Sequence, residues 1–410
     1  MHILVVHQYY LRPDEAGGSR WNEFARYWAA AGHRVTVLAG MVHYATGRKH
    51  PEYRRRFLVT EHEPGGITVR RCHVSEAYNR SFLGRAWAYA SFAVSSTIAG
   101  LGVKRPDVIV CTSPPLTVGL TGVALAQWHR RPMVFEVRDL WPDFAIETGV
   151  LRSGAMIRVG YWLERLSYRR AARISVLTPA FERTLREKKG VPAEKLVMIP
   201  NGADLDLVAP GERDNAVRRE LGLTGKFVVT YVGAHGVANH LIQLLEAARI
   251  LQSERPQVQL LLIGDGMEKP MLRQRASDWG LENVTFVDPV PKERIGEYLA
   301  ASDACTAVLK RVEGFKTVYP NKVFDYMAAA RPVVLGIDGV ARKLVEQAGA
   351  GLFVEPEDPQ AFAAAVGRLA DDPDRAAQMG ERGRAYVREH FSRAVLAQRY
   401  LGVLQSLVAP

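Results

Sequence analysis

The sequence is short of the residues that mark disulfide-bonded, zinc-binding and secreted proteins. Its 410 residues contain three cysteines, Cys72, Cys111 and Cys305, which lie far apart and form no C-x-x-C pair. Neither a disulfide framework nor a zinc site is therefore expected. The sequence also opens directly on an apolar strand pattern, without the charged and apolar regions of a signal peptide. These features predict a cytoplasmic protein.

Acidic residues are scarce in the first half of the chain. Residues 1–200 contain 29 Lys and Arg against 16 Asp and Glu, whereas the remaining residues contain 25 against 27. A basic surface attracts nucleic acid, an anionic membrane or a phosphorylated ligand. The same charge is also compatible with a merely soluble basic face. Nucleic acid is not expected as a partner, because neither aromatic platforms nor a reading helix stand out beside the charge.

One uncharged segment, residues 86–103, bears on a possible membrane association. It is long enough to span a bilayer, but its serine, threonine and glycine residues dilute its hydrophobicity. The pattern favours a buried helix of the first domain and leaves open a helix at the membrane surface or across it. Arg80, Arg85, Lys104 and Arg105 bracket the segment. Salt-sensitive binding to the anionic inner leaflet of the plasma membrane is therefore a second expectation.

Short apolar runs alternate with helical patterns along both halves of the chain. A chain of 410 residues is too long for one hydrophobic core, so two domains are expected. Strands that alternate with helices form parallel sheets with both faces covered. We therefore predict an α/β protein of two Rossmann-like domains that face each other across a cleft. The predicted strands are residues 3–6, 35–39, 108–111, 133–137, 174–177, 227–232, 258–263, 284–287, 304–308 and 332–335.

Turn-forming residues mark the boundary between the two predicted domains. The segment 199–204 reads Ile-Pro-Asn-Gly-Ala-Asp, and a Pro-Gly pair follows at 210–211. The prediction is a first domain over residues 1–198 and a second over residues 199–391. The remaining residues, 392–410, are expected to form a helix that returns to the first domain.

Glycines and charged residues follow two predicted strands of the first domain. Gly17 and Gly18 precede the first helical pattern, where backbone N–H groups can approach an anion closely. A simple tight turn is the alternative. Arg138, Asp139 and Asp143 follow the fourth predicted strand, at an end where parallel sheets bind ligands. We interpret them as ligand-binding residues, although Arg138 and Asp139 would also suit a local ion pair.

Three lysines, Lys310, Lys316 and Lys322, surround a tract that Pro320 keeps from forming one continuous helix. Residues 323–330 then read as a helix. Lysines before a helix and at its N-terminus are suited to an anion such as a diphosphate leaving group. Solvated surface lysines are the alternative interpretation.

Several motifs occur in one order along nearly the whole chain. They are Gly17-Gly18, Pro200-Asn201-Gly202, Tyr231-Val232-Gly233, Gly264-Asp265-Gly266, the stretch 281–286, Asp325-Tyr326-Met327-Ala328 and Arg331-Pro332-Val333-Val334. The series resembles the retaining glycosyltransferases of family 4, which have the GT-B fold. Within that family, the tract 315–322 with Asp325 is most similar to the branch of L-fucosamine transferases, which act in cell-surface polysaccharide assembly.

The resemblance implies transfer of a sugar from a nucleotide diphosphate sugar with retention of anomeric configuration. A UDP-sugar is the expected donor, and a glycan or lipid-linked saccharide is the expected acceptor. A sugar-nucleotide epimerase of the same fold is the alternative, because it would share the donor pocket. No cofactor and no metal are expected. The Asp204-Leu205-Asp206 sequence imitates a metal motif of another glycosyltransferase fold, but it lies in the predicted interdomain segment.

The resemblance also assigns the candidate residues to catalysis, to donor binding and to the acceptor side. The expected catalytic residues are Asp139, Lys316 and Lys322. The expected acceptor-side residues are Arg138 and Asp143. The acceptor is also expected close to Gly17 and Gly18, which are counted with the donor-binding residues. The expected donor-binding residues are Gly17, Gly18, Gly233, Asn239, Gly264, Asp265, Gly266, Thr317, Val318 and Asp325.

Two features of the donor site depart from the family pattern. Members commonly carry two glutamates eight residues apart, and alignment on Tyr326 places Thr317 and Asp325 at those positions. Glu313, twelve residues before Asp325, is the alternative to Thr317 as the residue that contacts the sugar. A basic pair that often follows the Val-Gly turn is also missing here, and the lysines of the tract 316–322 would supply that charge.

Overall fold

The computed structural model of the chain describes residues 1–12, 15, 20–43, 46–79, 81–147 and 149–408. The chain forms two compact units, the first of Met1–Pro200 with Leu396–Pro410 and the second of Asn201–Val395. The last helix, Arg393–Ser406, therefore begins in the second unit and continues in the first. The division after Pro200 falls within the turn-rich segment 199–204.

An eight-stranded sheet forms the centre of the first unit. Its strand order is β3-β4-β2-β1-β5-β6-β7-β8, and every neighbouring pair is parallel except β3 with β4. Strands β1, β5 and β6 are buried along their whole length, so their sequences are mostly apolar. The strands are β1 (His2–Val6), β2 (Arg34–Gly40), β3 (Leu58–Glu63), β4 (Ile67–Cys72), β5 (Val108–Ser113), β6 (Met133–Val137), β7 (Arg173–Val176) and β8 (Leu196–Met198).

Helices and an aromatic cluster complete the first unit. Trp21, Phe24 and Trp28 from the first helix are buried, and their ring centroids lie 5.6 to 5.9 Å from that of Tyr400. The buried Tyr400 belongs to the last helix of the chain, which therefore contributes to the core of the first unit. The helices are α1 (Arg20–Ala30), α2 (Phe82–Leu101), α3 (Val118–His129), α4 (Asp143–Glu147), α5 (Gly154–Arg170) and α6 (Pro179–Glu187).

A buried ion pair joins α1 to the sheet of the first unit. The Arg20 guanidinium lies 3.0 Å from a carboxylate oxygen of Glu136 on β6, and both side chains are almost completely buried. Arg20 also donates to the carbonyl oxygens of Ile199 and Pro200, at 2.9 Å each. The indole N–H of Trp21 donates to the second oxygen of Glu136. Each carboxylate oxygen is therefore hydrogen-bonded, as a buried charge requires.

A six-stranded, wholly parallel sheet forms the centre of the second unit. Its strand order is β11-β10-β9-β12-β13-β14. The strands are β9 (Phe227–Val232), β10 (Val258–Ile263), β11 (Val284–Val287), β12 (Ala304–Val308), β13 (Val333–Gly336) and β14 (Gly351–Phe353). The helices are α7 (Ala216–Glu220), α8 (Ile242–Glu254), α9 (Lys269–Asp278), α10 (Ile295–Ala300), α11 (Asn321–Ala328), α12 (Val340–Ala348), α13 (Pro359–Asp371) and α14 (Pro373–His390). The last helix, α15 (Arg393–Ser406), begins in this unit and continues in the first.

The prediction of two α/β units with parallel sheets is confirmed, and all ten predicted strands are present. The structure adds four strands that the sequence does not reveal. Strand β3 lies at the sheet edge and pairs antiparallel with β4, which departs from the predicted all-parallel arrangement. Of the other three additions, β4 interrupts its apolar residues with Thr68, Arg70 and Arg71, whereas β8 and β14 have three residues each. Strands this short lack the apolar run on which the prediction depends.

Candidate functional site

The order of the strands identifies one candidate place in each unit. In the first sheet the connections run in opposite directions on the two sides of β1, and in the second sheet they do so at β9. Parallel sheets bind ligands at the carboxyl ends of the strands beside such a reversal. In the first unit, candidate residues therefore follow β1, β5 and β6. In the second unit they are those after β9, β10 and β12.

Three glycines form two touching turns in the second unit. Gly233 follows β9, while Gly264 and Gly266 follow β10, and all three have φ between 139° and 159°. A Cβ atom on Gly264 would lie 2.0 Å from the carbonyl oxygen of Gly233. One on Gly266 would lie 2.4 Å from the carbonyl oxygen of His235. These positions therefore require glycine.

The ammonium group of Lys322 lies beside the first of these turns. Its Nζ is 3.7 Å from the centroid of the Tyr231 ring, and a Cβ atom on Gly233 would lie 2.6 Å from it. The hydroxyl of Tyr231 donates to the carbonyl oxygen of Ala234, which fixes the ring against the turn. Burial lowers the pKa of Lys322 to about 7. Within the described chain, Lys322 makes no ion pair.

Helix α11 places Lys322 near its N-terminus, where the helix dipole favours an anion. Tyr326, one turn later, is buried, and its hydroxyl accepts a hydrogen bond from the backbone N–H of Val232 at 2.9 Å. This bond ties α11 to the end of β9. Lys322, the glycine turns and the helix N-terminus are therefore held together by the frame of the second unit.

Lys316 lies in a different electrostatic environment. It belongs to a 3₁₀ turn, Glu313–Thr317, and its Nζ lies 2.7 Å from Glu313 and 3.6 Å from Asp338. These carboxylates raise the pKa of Lys316 above its ordinary value, with the Glu313 hydrogen bond as the main cause. Lys310 and Lys316 line a cavity of about 190 Å³ at the ends of β12 and β13. Glu313 is therefore the partner of Lys316 in this structure.

The other predicted donor residues lie on the surrounding loops. Asn239 follows the Gly233 turn and donates its backbone N–H to the carbonyl oxygen of Gly236. The carboxylate of Asp265 accepts the backbone N–H of Gly266 at 2.8 Å. The hydroxyl of Thr317 donates to the carbonyl oxygen of Gly314. The half-buried residues Val318 and Asp325 lie on either side of Lys322 in the chain.

Two residues that the sequence analysis missed help to form the donor-side turns. Lys269 is buried, and its Nζ donates to the carbonyl oxygens of Gly264 and Val287 and to the carboxylate of Asp288. It thereby joins the turns after β10 and β11. The buried His235 lies between the turns, and neither ring nitrogen has a hydrogen-bond partner in the described residues. Burial, with a smaller effect of Lys269, lowers its pKa to about 4.

Asp139 is the most perturbed carboxylate at the candidate place in the first unit. Burial raises its pKa to about 6, and the charge of Arg138 opposes that shift. Asp139 and Arg138 do not form an ion pair within the described chain, so the local ion pair considered from the sequence is absent. A carboxyl group whose pKa is raised by burial at a strand end is typical of a functional position.

Two further polar residues at this place were not identified from the sequence. His7 and Gln8 follow β1 directly, and both are buried. Neither polar atom of the Gln8 amide has a hydrogen-bond partner in the described residues, and the same holds for Nδ1 of His7. Burial, Arg138 and Arg20 hold the pKa of His7 well below its ordinary value. Buried polar groups without partners are uncommon, and a ligand would explain them.

The remaining predicted residues are accounted for in other ways. Asp143 lies 2.6 Å from Nζ of Lys189 and accepts the hydroxyl hydrogen of Tyr161, so it belongs to a local polar network. The Asp204 carboxylate accepts backbone N–H groups at the start of the second unit. Gly17 and Gly18 lie outside the described residues.

Comparison with known protein families agrees with this architecture. Residues 16–202 match the glycosyl transferase 4-like domain, and residues 226–372 match the glycosyl transferases group 1. Both matches describe glycosyltransferases rather than sugar-nucleotide epimerases. The first match lies almost entirely in the first unit of the structure, and the second lies within the second unit.

Individual proteins show the same likeness. WcaI of Escherichia coli K12, assigned as a glycosyl transferase of colanic acid biosynthesis, is 27% identical over 382 residues, or 89% of this chain and 91% of WcaI. The GDP-mannose-dependent monoacylated alpha-(1-6)-phosphatidylinositol monomannoside mannosyltransferase of Corynebacterium glutamicum is 30% identical over 57% of this chain and 62% of that protein. HepE of Anabaena, solved with UDP-glucose, has a TM-score of 0.73 at 21% identity, over 99% of this chain and 100% of HepE.

The fold and the matched domains define the class of this protein. It is a two-domain α/β enzyme of the GT-B fold. The chain belongs to the glycosyltransferases, with a glycosyl transferase 4-like domain followed by a group 1 domain.

Proposed function

We propose that this enzyme transfers a sugar from a UDP-sugar to a glycan or lipid-linked saccharide, with retention of anomeric configuration, during assembly of a cell-surface polysaccharide. The observation that carries the proposal is the position of Lys322 beside the glycine turns of the second unit. The likeness to WcaI and to the L-fucosamine transferase branch supports the pathway. The UDP-glucose in HepE supports the donor. The GDP-mannose-dependent relative makes a GDP-sugar the competing donor.

The donor diphosphate is assigned to the turns at Gly233, Gly264 and Gly266. The N-terminus of α11 suits an anion, and Lys322 supplies a positive charge beside the turns. A diphosphate would raise the pKa of Lys322 and draw it into its charged form. The leaving group gains negative charge as the bond to the sugar breaks. The ammonium group would therefore stabilise the transition state more than the bound donor.

The residues around Lys322 would hold the rest of the donor. Asp325 lies one turn after the start of α11, and we assign it to the ribose hydroxyl groups. Thr317 and Val318 lie directly before this helix and would face the sugar. Lys316 is already paired with Glu313 and Asp338, so its contribution requires the diphosphate to compete with two carboxylates. We therefore assign the main electrostatic role to Lys322 and a secondary role to Lys316.

The acceptor is assigned to the first unit, near Asp139. The raised pKa of this carboxyl group reflects a poorly solvated position, where a hydroxyl of the acceptor would replace lost water. The unsatisfied amide of Gln8 and Nδ1 of His7 would bind further hydroxyl groups of a saccharide. Arg138 lies next to Asp139 and would contact an anionic part of the acceptor.

The proposed reaction needs no nucleophile from the protein. The acceptor hydroxyl forms the new bond to the anomeric carbon on the face from which the diphosphate leaves, so configuration is retained. The departing phosphate oxygen takes the proton of that hydroxyl. No metal is proposed, because Lys322 supplies the charge that a metal would otherwise supply at the diphosphate. Transfer should accordingly continue undiminished in excess EDTA, and loss of activity that Mg²⁺ or Mn²⁺ restores would contradict this part.

A thermal-shift panel tests the donor assignment. UDP, GDP, UDP-glucose and GDP-mannose would be compared on the wild type and on Lys322→Met. A ligand at 100 times its dissociation constant stabilises the folded protein by about 2.7 kcal/mol. We expect UDP to stabilise the wild type and to lose most of that effect in Lys322→Met. Stabilisation by GDP alone would reject the UDP assignment, and equal stabilisation of both proteins would reject the role of Lys322.

A further inference from the structure

Helix α2 presents an unusual outer surface in the first unit. The sequence favours a buried helix over residues 86–103, but the structure covers only one side of α2 (Phe82–Leu101). The exposed fractions of Leu83 and Trp87 are 73% and 63%. The spacing of four, seven, four and three residues places the exposed apolar side chains on one helix face. These side chains are Leu83, Trp87, Val94, Ile98 and Leu101.

Helix α3 extends this apolar surface. The two helices run side by side in the same direction, since Thr121 donates to the carbonyl oxygen of Ala93 and His129 lies 3.1 Å from that of Gly100. Because the helices are neighbours on the same side of the sheet, their outer faces adjoin. The outer face of α3 carries Leu120 and Trp128, the latter 65% exposed.

Positive charge lies beside this apolar surface, mainly at the carboxyl ends of the two helices. Neither α2 nor α3 contains an acidic residue. Lys104, Arg105 and Arg130 are exposed just beyond the carboxyl ends of the two helices, and none of them makes an ion pair within the described chain. At the other end of α2, Arg85 lies over the ring of Tyr78. An apolar face with tryptophans and three exposed cations at its carboxyl end is complementary to the surface of an anionic bilayer.

We propose that the outer faces of α2 and α3 form a docking surface for an anionic lipid bilayer. Trp87 and Trp128 enter the headgroup region, and Lys104, Arg105 and Arg130 contact the lipid phosphates. In the part of the chain that the structure describes, no helix is long and apolar enough to cross a membrane, so docking takes place at the surface. The biological meaning rests on the proposed function, since docking brings the first unit to a lipid-linked acceptor.

The charge distribution favours a membrane over a second copy of the chain. A second copy would cover the apolar side chains, but it would add its own cations to the same region. Anionic headgroups cover the apolar face and neutralise the cations together, at about 1 kcal/mol for each basic residue. The bilayer is therefore the occupant that satisfies both features of the surface.

Vesicle cosedimentation tests the proposal. The full-length protein would be mixed with vesicles of phosphatidylcholine alone and of equal parts phosphatidylcholine and phosphatidylglycerol, at low and high salt. We expect binding to the anionic vesicles only, and loss of binding at high salt. Lys104→Glu combined with Arg105→Glu should weaken binding roughly 30-fold or more. Trp87→Ser combined with Trp128→Ser should weaken it roughly 10-fold or more.

Matched control variants distinguish vesicle binding through this surface from an effect of net charge alone. Arg375→Glu combined with Arg388→Glu makes the same charge change on exposed residues of α14 and should leave vesicle binding unchanged. Equal binding to both vesicle types, absent binding at low salt, or equal weakening by both charge pairs would overturn the proposal. A dimer in light scattering that Trp87→Ser disperses would also overturn it. UDP binding by the same variants is independent of these outcomes, so failure of the docking surface is distinguishable from failure of the proposed function.

Discussion

The pKa of Lys322 makes a quantitative prediction for donor binding. With a pKa of about 7, half of the protein molecules carry the charged lysine at pH 7. At pH 9 the charged fraction falls to about one in a hundred. If the diphosphate binds only the charged form, the dissociation constant of UDP should rise about 50-fold between pH 7 and pH 9. A solvent-exposed lysine, with a pKa of about 10.4, would cause almost no change over this range.

Titration of UDP binding by calorimetry at constant ionic strength measures this dependence. The second ionisation of a terminal phosphate has a pKa near 6, so it contributes little above pH 7. Lys322→Arg serves as the matched control, because a guanidinium stays charged throughout the range. Its profile should be flat, whereas the wild type should lose about fivefold in affinity between pH 7 and pH 8 and about tenfold between pH 8 and pH 9. Parallel profiles in the two proteins would refute the assignment.

Protein stability provides an independent measurement of the same pKa. Unfolding returns Lys322 to water, where its pKa is near 10.4, so the unfolded chain binds more protons than the folded one between pH 7 and pH 10. The free energy of unfolding should therefore rise with pH over this window, relative to Lys322→Met. The opposite slope would show that the lysine is not desolvated in the folded protein.

Three further substitutions test residues in and around the two candidate places. Asp139→Asn should abolish transfer but preserve UDP binding, and it should stabilise the protein by up to about 3 kcal/mol at pH 8 but hardly at pH 3. The reason is that burial raises the pKa of this carboxyl group from 3.8 to about 6, so the wild type loses stability as the pH rises from about 4 to about 6. Equal melting shifts at both pH values would contradict this. Lys269→Met should weaken UDP binding and cost about 1 to 3 kcal/mol in urea unfolding, because two carbonyl oxygens lose a buried donor. Unchanged UDP binding would show that Lys269 does not support the donor site. Arg20→Met should cost about 3 to 5 kcal/mol by leaving Glu136 charged and unpaired. Adding Glu136→Leu should recover most of that loss, and no recovery would point to packing as the cause.

The sequence was sufficient for the main strands and not for the edges of the sheets. Central strands such as β10 are buried on both faces and therefore form apolar runs that composition reveals. Strand β3, Leu58–Glu63, is an edge strand with polar side chains and lacks this pattern. The sequence also showed that α2 is uncharged, but it did not show which face of the helix the rest of the unit covers.

At the donor side, local spacing indicated Lys322 and Lys316 as candidates, but the prediction left out the contacts of both. Lys322 could be predicted because it lies near the start of a helix. Its position over Tyr231 could not, because that contact joins residues ninety-one apart. The ion pair of Lys316 with Glu313, three residues earlier, could have been recognised from the spacing. Lys269 carried no signal, since two of its three partners are backbone carbonyl oxygens. Every residue has a backbone carbonyl oxygen, so a sequence does not show which of them accepts a hydrogen bond from a lysine.

The aromatic cluster around Tyr400 has a consequence for how the chain folds during synthesis. Trp21, Phe24 and Trp28 leave the ribosome early, but Tyr400 and Leu404, which complete their core, are made more than 370 residues later. At about 5 to 20 residues per second, roughly 10 to 40 seconds separate the end of the first segment, at Pro200, from the arrival of Tyr400. The second unit, Asn201–Val395, is contiguous and has no such delay. Of the two units, the first is therefore translated first but closes its core last. Until it closes, its tryptophans are exposed, and a nascent-chain chaperone would bind there.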